Sequence, residues 1–133
     1  MRNVAEKRAA FRALHQQGCF VLPNPWDVGS ARLFQSMGFS ALASTSSGYA
    51  WTLGRPDYAV TRDDVIRHLQ ALCDEVDLPV NADFESGFAS EPEGVAASVR
   101  LAVQTGVAGL SRRSILADLR RLSTSSAWAR CAI

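Results

Sequence analysis

The stretch PVNADFESGF, residues 79–88, joins an apolar segment to two acidic side chains. Leu78–Ala82 has the short apolar character of a buried strand. Asp83 and Glu85 follow where that strand should end, and Gly87 comes directly after them. A surface turn would explain the two acids, and so would a metal site if other residues agree with it.

Helix and strand signals alternate on both sides of this stretch. Apolar residues at helical spacing, with capping and stop residues, predict four helices. The first helix is Ala5–Gln17, and the second is capped by Asp27 and runs through Met37. The third begins at Thr61 and has Val76 on its buried face, and the fourth begins at Ser90 and is ended by Gly106. Four short apolar runs predict strands, namely Cys19–Leu22, Phe39–Ala43, Leu78–Ala82 and Val107–Leu110, while Tyr49–Val60 is predicted as a loop.

Short strands that are apolar on both faces and alternate with helices indicate an α/β fold with a parallel sheet. An open doubly wound sheet and a (β/α)8 barrel both fit this order. No GxGxxG follows the first strand, which disfavours a dinucleotide-binding unit. Polar segments follow three of the strands, where a barrel places its chemistry, and these are Pro23–Asp27, Ser44–Gly48 and Asn81–Glu85.

Composition excludes several classes of protein. The net charge of +1 gives no electrostatic reason for binding nucleic acid or a membrane. The charged N-terminal segment lacks the apolar core of a signal peptide, so we expect a cytoplasmic protein. Cys19, Cys73 and Cys131 lie far apart with no CxxC pair, which argues against a disulfide framework or a zinc site, and Cys19 and Cys73 are predicted to be buried. His15 and His68 have no ligand-spaced partner and are predicted at the surface or its boundary.

Three strand-end features together suggest a chemistry. Hydroxyl and backbone N–H groups at Thr45–Gly48 can hold a carboxylate or a phosphoryl group. Asp57 in the following loop and Asp83 at a strand end provide two carboxylates, the usual protein share of a Mg²⁺ site. Such an ion polarises a carbonyl and stabilises an enolate.

Four separated motifs in one order then identify a resemblance. PNPWDVGSARLFQSMGF, STSSGYAWTLGRPD, PVNADFESGF and EGVAASVRLAVQTGVAGLS together resemble the phosphoenolpyruvate mutase/isocitrate lyase superfamily over residues 8–111. The resemblance implies a (β/α)8 barrel of about twice this length, and homo-oligomers in intact relatives. It implies Mg²⁺-dependent lysis, decarboxylation or phosphonate rearrangement of a small 2-oxo or 2-hydroxy carboxylate, through an enolpyruvate-like intermediate.

The resemblance also assigns roles to residues. It places substrate binding at Thr45, Ser46, Ser47, Gly48 and Asn81, and metal binding at Asp57, Asp83 and Glu85. No catalytic acid or base is assigned.

Two departures stand against that assignment. Asn81 is an amide where relatives commonly carry a first aspartate, a loss of charge for which Glu85 could compensate. The family's Glu-Asp pair is expected after the fourth strand, but Ser111 is followed by Arg112 and Arg113.

Charge divides the chain near Ser111. Residues 1–110 carry nine basic and twelve acidic side chains, a net of −3, and residues 111–133 carry five arginines and one aspartate, a net of +4. We therefore predict the N-terminal half of a barrel over 1–110 and a divergent basic tail over 111–133, with a shifted reading frame as one hypothesis for the tail. Two alternatives to an enzyme stay open: an inactive truncated remnant or association domain, and an open-sheet phosphate-binding module.

Overall fold

The computed structural model describes residues 1–113 as alternating helices and parallel strands, which confirms the predicted α/β class. The helices are α1 Val4–Leu14, α2 Val28–Ser36, α3 Ser46–Thr52, α4 Arg62–Glu75 and α5 Pro92–Gln104. The strands are β1 Leu42–Ala43, β2 Val80–Asp83 and β3 Gly109–Ser111. Residues 114–133, most of the predicted tail, lie outside the described residues.

The sheet is parallel, and its strands lie side by side in chain order, β1-β2-β3. Leu42 pairs with Val80 in the first ladder, and Asn81 pairs with Gly109 in the second. Parallel strands that are joined by helices and lie side by side in chain order are the arrangement found in the wall of a (β/α)8 barrel. The carboxyl ends of all three strands therefore share one edge.

Reciprocal side-chain caps fix where α1, α2 and α4 begin. Asn3, Asp27 and Thr61 each accept a hydrogen bond from the backbone N–H three residues later, and each forms a reciprocal capping box. Such caps satisfy N–H groups that the first turn of a helix leaves unpaired. The predicted starts at Asp27 and Thr61 are thus confirmed.

The core lies between the sheet and its helices. Leu69 and Leu72 of α4 are fully buried against β2, and Phe84, immediately after β2, is the largest fully buried side chain. The wider set of buried apolar residues comprises Ala31, Leu42, Ala50, Val60, Val65, Cys73, Val76, Val80, Ala82, Ala102 and Val107.

Helix α1 packs where the chain enters β2 and β3. Lys7 is buried, and its Nζ donates to the carbonyl oxygens of Cys73 and Val76 at 3.0 and 2.7 Å, at the end of α4. A cation at this position satisfies carbonyls that a helix C-terminus leaves free. Phe11 packs over Gly109, where an added Cβ would lie 2.5 Å from its ring. This arrangement leaves the opposite edge of the sheet for chemistry.

Several predicted elements were wrong. Cys19–Leu22 forms no strand. The contact with β1 comes after this segment, where Ala43 N donates to Pro23 O, and Val21 within the segment faces solvent. Part of the predicted loop Tyr49–Val60 belongs to α3, which Thr45 caps through the N–H of Gly48. Cys19 is exposed, whereas Cys73 is buried as predicted.

None of the helices in residues 1–113 combines the length and the apolar character needed to cross a membrane.

His68 was wrongly predicted at the surface or its boundary. The ring is buried in α4 and stacks on Tyr49, with ring centroids 4.0 Å apart. Its Nε2 has no hydrogen-bond partner among the described residues. Burial lowers the pKa of His68 to about 4, against a smaller opposing effect of Asp27. The imidazole is therefore neutral in the folded protein at neutral pH.

This pKa predicts an acid-sensitive stability. Between pH 6.5 and about 4 the unfolded chain binds a proton at His68 and the folded chain does not, so stability falls as pH decreases through that window. The shift corresponds to roughly 3 kcal/mol lost by pH 4. Urea unfolding of the wild type and of His68→Gln at several pH values measures the effect. The prediction would be contradicted if the free energy of unfolding changed with pH by the same amount in the wild type and in His68→Gln.

Candidate functional site

Ser44 joins the carboxyl ends of β1 and β2. Its Oγ accepts a hydrogen bond from the backbone N of Asp83 at 2.9 Å, and its own N donates to Asn81 O at 2.8 Å. Ser44 is buried, so these bonds are shielded from water. These two bonds fix the position of Ser44, the first residue of the serine-rich turn Ser44–Gly48, relative to Asp83.

Ser46 brings two distant aspartates to one point. Its backbone N and its Oγ lie 3.1 and 2.9 Å from Asp83 Oδ2, and the same Oγ lies 3.4 Å from Asp57 Oδ1. Oxygens from two carboxylates thus lie within 3.4 Å of a single hydroxyl. The segment after β1 and the end of β2 are thus joined through Ser46 and Asp83.

Strained backbone holds the acids in place. Tyr58 has φ of 64°, and its N–H donates to Asp57 Oδ1 at 3.0 Å. Glu85, two residues after Asp83, has φ of 43°. Residues other than glycine rarely adopt this left-handed region of backbone conformation, and such strain concentrates at functional sites.

Glu85 lies beside the two aspartates, and we call Asp57, Asp83 and Glu85 the acid cluster. The Glu85 side chain is almost completely buried, and its Oε1 has no hydrogen-bond partner among the described residues. Burial, together with the neighbouring carboxylates of Asp57 and Asp83, raises the pKa of Glu85 to about 7, and Arg113 opposes the shift. A cation near Oε1 would stabilise the ionised form of the Glu85 carboxyl group.

Arg113 is a residue at this cluster that the sequence did not predict. One of its terminal nitrogens donates to Asp83 Oδ2 at 3.2 Å and to Ser46 Oγ, and the other lies 3.9 Å from Asp57 Oδ2. Its guanidinium also lies over the Tyr58 ring, 5.4 Å from the centroid. The only signal in the sequence was a pair of arginines at the position where the resemblance implies acids.

The remaining predicted substrate residues fall into two places. Thr45, Ser47 and Gly48 line an open cavity of about 560 Å³, which Trp26 and Trp51 also line. Asn81 lies two residues before Asp83 on β2, and its amide donates to Ser111 Oγ at 2.7 Å. The structure thus places Ser46 with the acids, the other turn residues in the adjoining cavity, and Asn81 with β3.

The chemistry of the donors suits Mg²⁺. Carboxylate and hydroxyl oxygens are hard ligands, and Mg²⁺ commonly keeps several waters with only one or two carboxylates. Within residues 1–113 no three His, Cys, Asp or Glu side chains form a ready-made metal site. The carboxylate oxygens of Asp57 and Asp83, with the unpartnered Oε1 of Glu85 nearby, match the ligand chemistry of a largely hydrated Mg²⁺.

Comparisons with known proteins agree with this architecture. The family model for phosphoenolpyruvate phosphomutase matches residues 11–112. A solved structure from Burkholderia cenocepacia J2315 shares 48% identity at a TM-score of 0.80, covering 82% of this chain and 40% of that one. An uncharacterised protein of Mycobacterium tuberculosis is 38% identical over 77% of this chain and 39% of its own length. The 2-methylisocitrate lyase of Escherichia coli is 33% identical over 76% of this chain and 35% of its own. The chain thus spans 35–40% of the length of these relatives.

Proposed function

Because this chain belongs to the phosphoenolpyruvate phosphomutase family, we propose that it binds a small 2-oxo or 2-hydroxy carboxylate together with Mg²⁺. The proposed chemistry is C–C bond lysis, decarboxylation or phosphonate rearrangement through an enolpyruvate-like intermediate. The observation that carries the proposal is the convergence of Asp57 and Asp83 on Ser46 Oγ, at 3.4 and 2.9 Å. A lyase among its relatives supports this class of reaction.

Each residue has a separate task in this proposal. Asp57 and Asp83 hold the ion directly or through water, and the two donors of Ser46 fix the orientation of the Asp83 carboxylate. Bound Mg²⁺ supplies Lewis-acid polarisation of a substrate carbonyl and stabilises enolate charge. The hydroxyls of Thr45 and Ser47 donate to the substrate carboxylate from the wall of the cavity, which Gly48 also lines.

The two tryptophans shape the same cavity. Trp26 is 48% exposed and Trp51 is 71% exposed, so both present apolar surface to the open side. A bound carboxylate would cover part of that surface and displace water from it. Water exclusion strengthens each electrostatic interaction inside a site. Homo-oligomerisation and a cytoplasmic location stay predictions.

Arg113 favours a second candidate, a non-catalytic domain of the same fold. Its guanidinium contacts both aspartates and neutralises part of the charge that would attract Mg²⁺. In this alternative the cluster stabilises the sheet edge, and no substrate binds.

Isothermal titration calorimetry distinguishes the two candidates. Oxalate, a mimic of the enolate, is titrated into the protein with millimolar Mg²⁺, and the heat of oxalate binding Mg²⁺ in buffer is subtracted. We expect a saturable heat that disappears with EDTA. Absence of heat at millimolar ligand would favour the non-catalytic domain. Heat from inorganic phosphate in EDTA would instead support a metal-free phosphate-binding module.

A further inference from the structure

We propose that the guanidinium of Arg113 is a built-in counter-ion of the acid cluster, so that a divalent cation binds only by displacing it. This inference rests on the proposed function, because it takes the acid cluster as the metal site. It adds that the chain carries its own competitor for that site.

Both cations would need the carboxylate of Asp83. Asp83 Oδ2 accepts from Ser46 N at 3.1 Å, from Ser46 Oγ at 2.9 Å and from Arg113 at 3.2 Å. Three donors crowd this oxygen, and the guanidinium of Arg113 extends from it to Asp57 Oδ2 at 3.9 Å, so it occupies the space between the two carboxylates that would hold a metal. The contacts from Ser46 come from the fold itself, so Arg113 is the donor that has to leave.

The two cations also carry charge of the same sign. Among residues 1–113, Arg113 is the cation that forms ion pairs with Asp57 and Asp83. Its positive charge lies where an incoming divalent ion would bind, so the two repel each other while both are present. Reciprocity of binding requires that whatever favours Arg113 in the cluster weakens the metal by the same factor.

The side chain of Arg113 is free to leave the acid cluster while its backbone stays in place. Its backbone N is fixed to Glu85 O at 2.6 Å, but its side chain is 38% exposed at the open edge of the sheet. The guanidinium also fits the cluster imperfectly, because its Nε and the Oε1 of Glu85 are both buried without a hydrogen-bond partner among the described residues. Rotation of the side chain into solvent frees the cluster without moving β3.

The test compares Arg113→Gln with Arg112→Gln. Arg112 is a matched control, because its Nε donates to Ser86 O at 2.7 Å rather than to the acid cluster. Mg²⁺ affinity is measured by calorimetry, and Mn²⁺ binding by electron paramagnetic resonance. We expect Arg113→Gln to bind either ion about tenfold more tightly than the wild type, and Arg112→Gln to bind like the wild type.

Thermal unfolding provides a second readout that needs no activity. Without metal, Arg113→Gln should melt below the wild type, because its carboxylates lose their partner, and millimolar Mg²⁺ should raise its melting temperature more than that of the wild type. Equal Mg²⁺ affinity in the wild type and Arg113→Gln would overturn the competition and leave the proposed metal site standing. Absence of binding in both would overturn the metal site as well, so the two failures are distinguishable.

Discussion

Replacement of Phe84 by alanine should destabilise the protein by about 3–5 kcal/mol, the range typical of large aromatic-to-alanine changes in a core. Phe84 is fully buried and is the largest of the fully buried side chains. It also packs edge-to-face on Phe88, with ring centroids 5.1 Å apart. Alanine would leave a cavity under the site, because the residue lies between Asp83 and Glu85 in the chain. Urea unfolding followed by circular dichroism measures the change.

Leu33→Ala on α2 is the control for this prediction. Leu33 is 57% exposed, so its truncation removes little buried surface and should change stability by no more than about 0.5 kcal/mol. A Phe84→Ala loss as small as that of Leu33→Ala would show that the core does not depend on this ring.

Replacement of Asp83 by asparagine should weaken Mg²⁺-dependent oxalate binding by at least about a hundredfold. Loss of groups that merely support a ligand commonly costs 10–100-fold, and Asp83 is proposed as a ligand itself. Asparagine keeps the shape and one oxygen that can accept from Ser46, so the change removes charge with little effect on packing. The calorimetric titration described above measures the affinity.

Asp63→Asn provides the same change of charge away from the site. Asp63 lies in the first turn of α4 with a side chain that is 65% exposed, and its ion pair is with Arg62. Oxalate affinity should stay at the wild-type value in this variant. Binding by Asp83→Asn within a few-fold of the wild type, with native circular dichroism, would remove Asp83 from the metal site.

Elements with local causes were predictable from the sequence. The starts of α2 and α4 depend on side-chain caps three residues from their partners, so Asp27 and Thr61 were sufficient to locate them. The strand β2 and its acidic end were equally visible, because an apolar run followed by Asp83 needs no distant information.

Elements that depend on distant partners were not predictable in this way. The run Cys19–Leu22 has the composition of a strand, but a strand also requires a neighbour that pairs along its length. Helix α3 is short and has no clear apolar period, so the sequence predicts a loop from Tyr49 onward instead. Arg113 reaches Ser46 across 67 positions of the chain, a contact that only the sheet creates.

The left-handed backbone at Glu85 sets stability engineering against chemistry at this site. Glycine adopts a φ of 43° without strain, so a search for stabilising substitutions would favour glycine at this position. That substitution would delete a carboxylate of the acid cluster and, with it, part of the attraction for a divalent ion. Libraries selected for heat resistance alone would therefore be expected to drift away from metal binding at position 85, and a selection scheme should score both properties together.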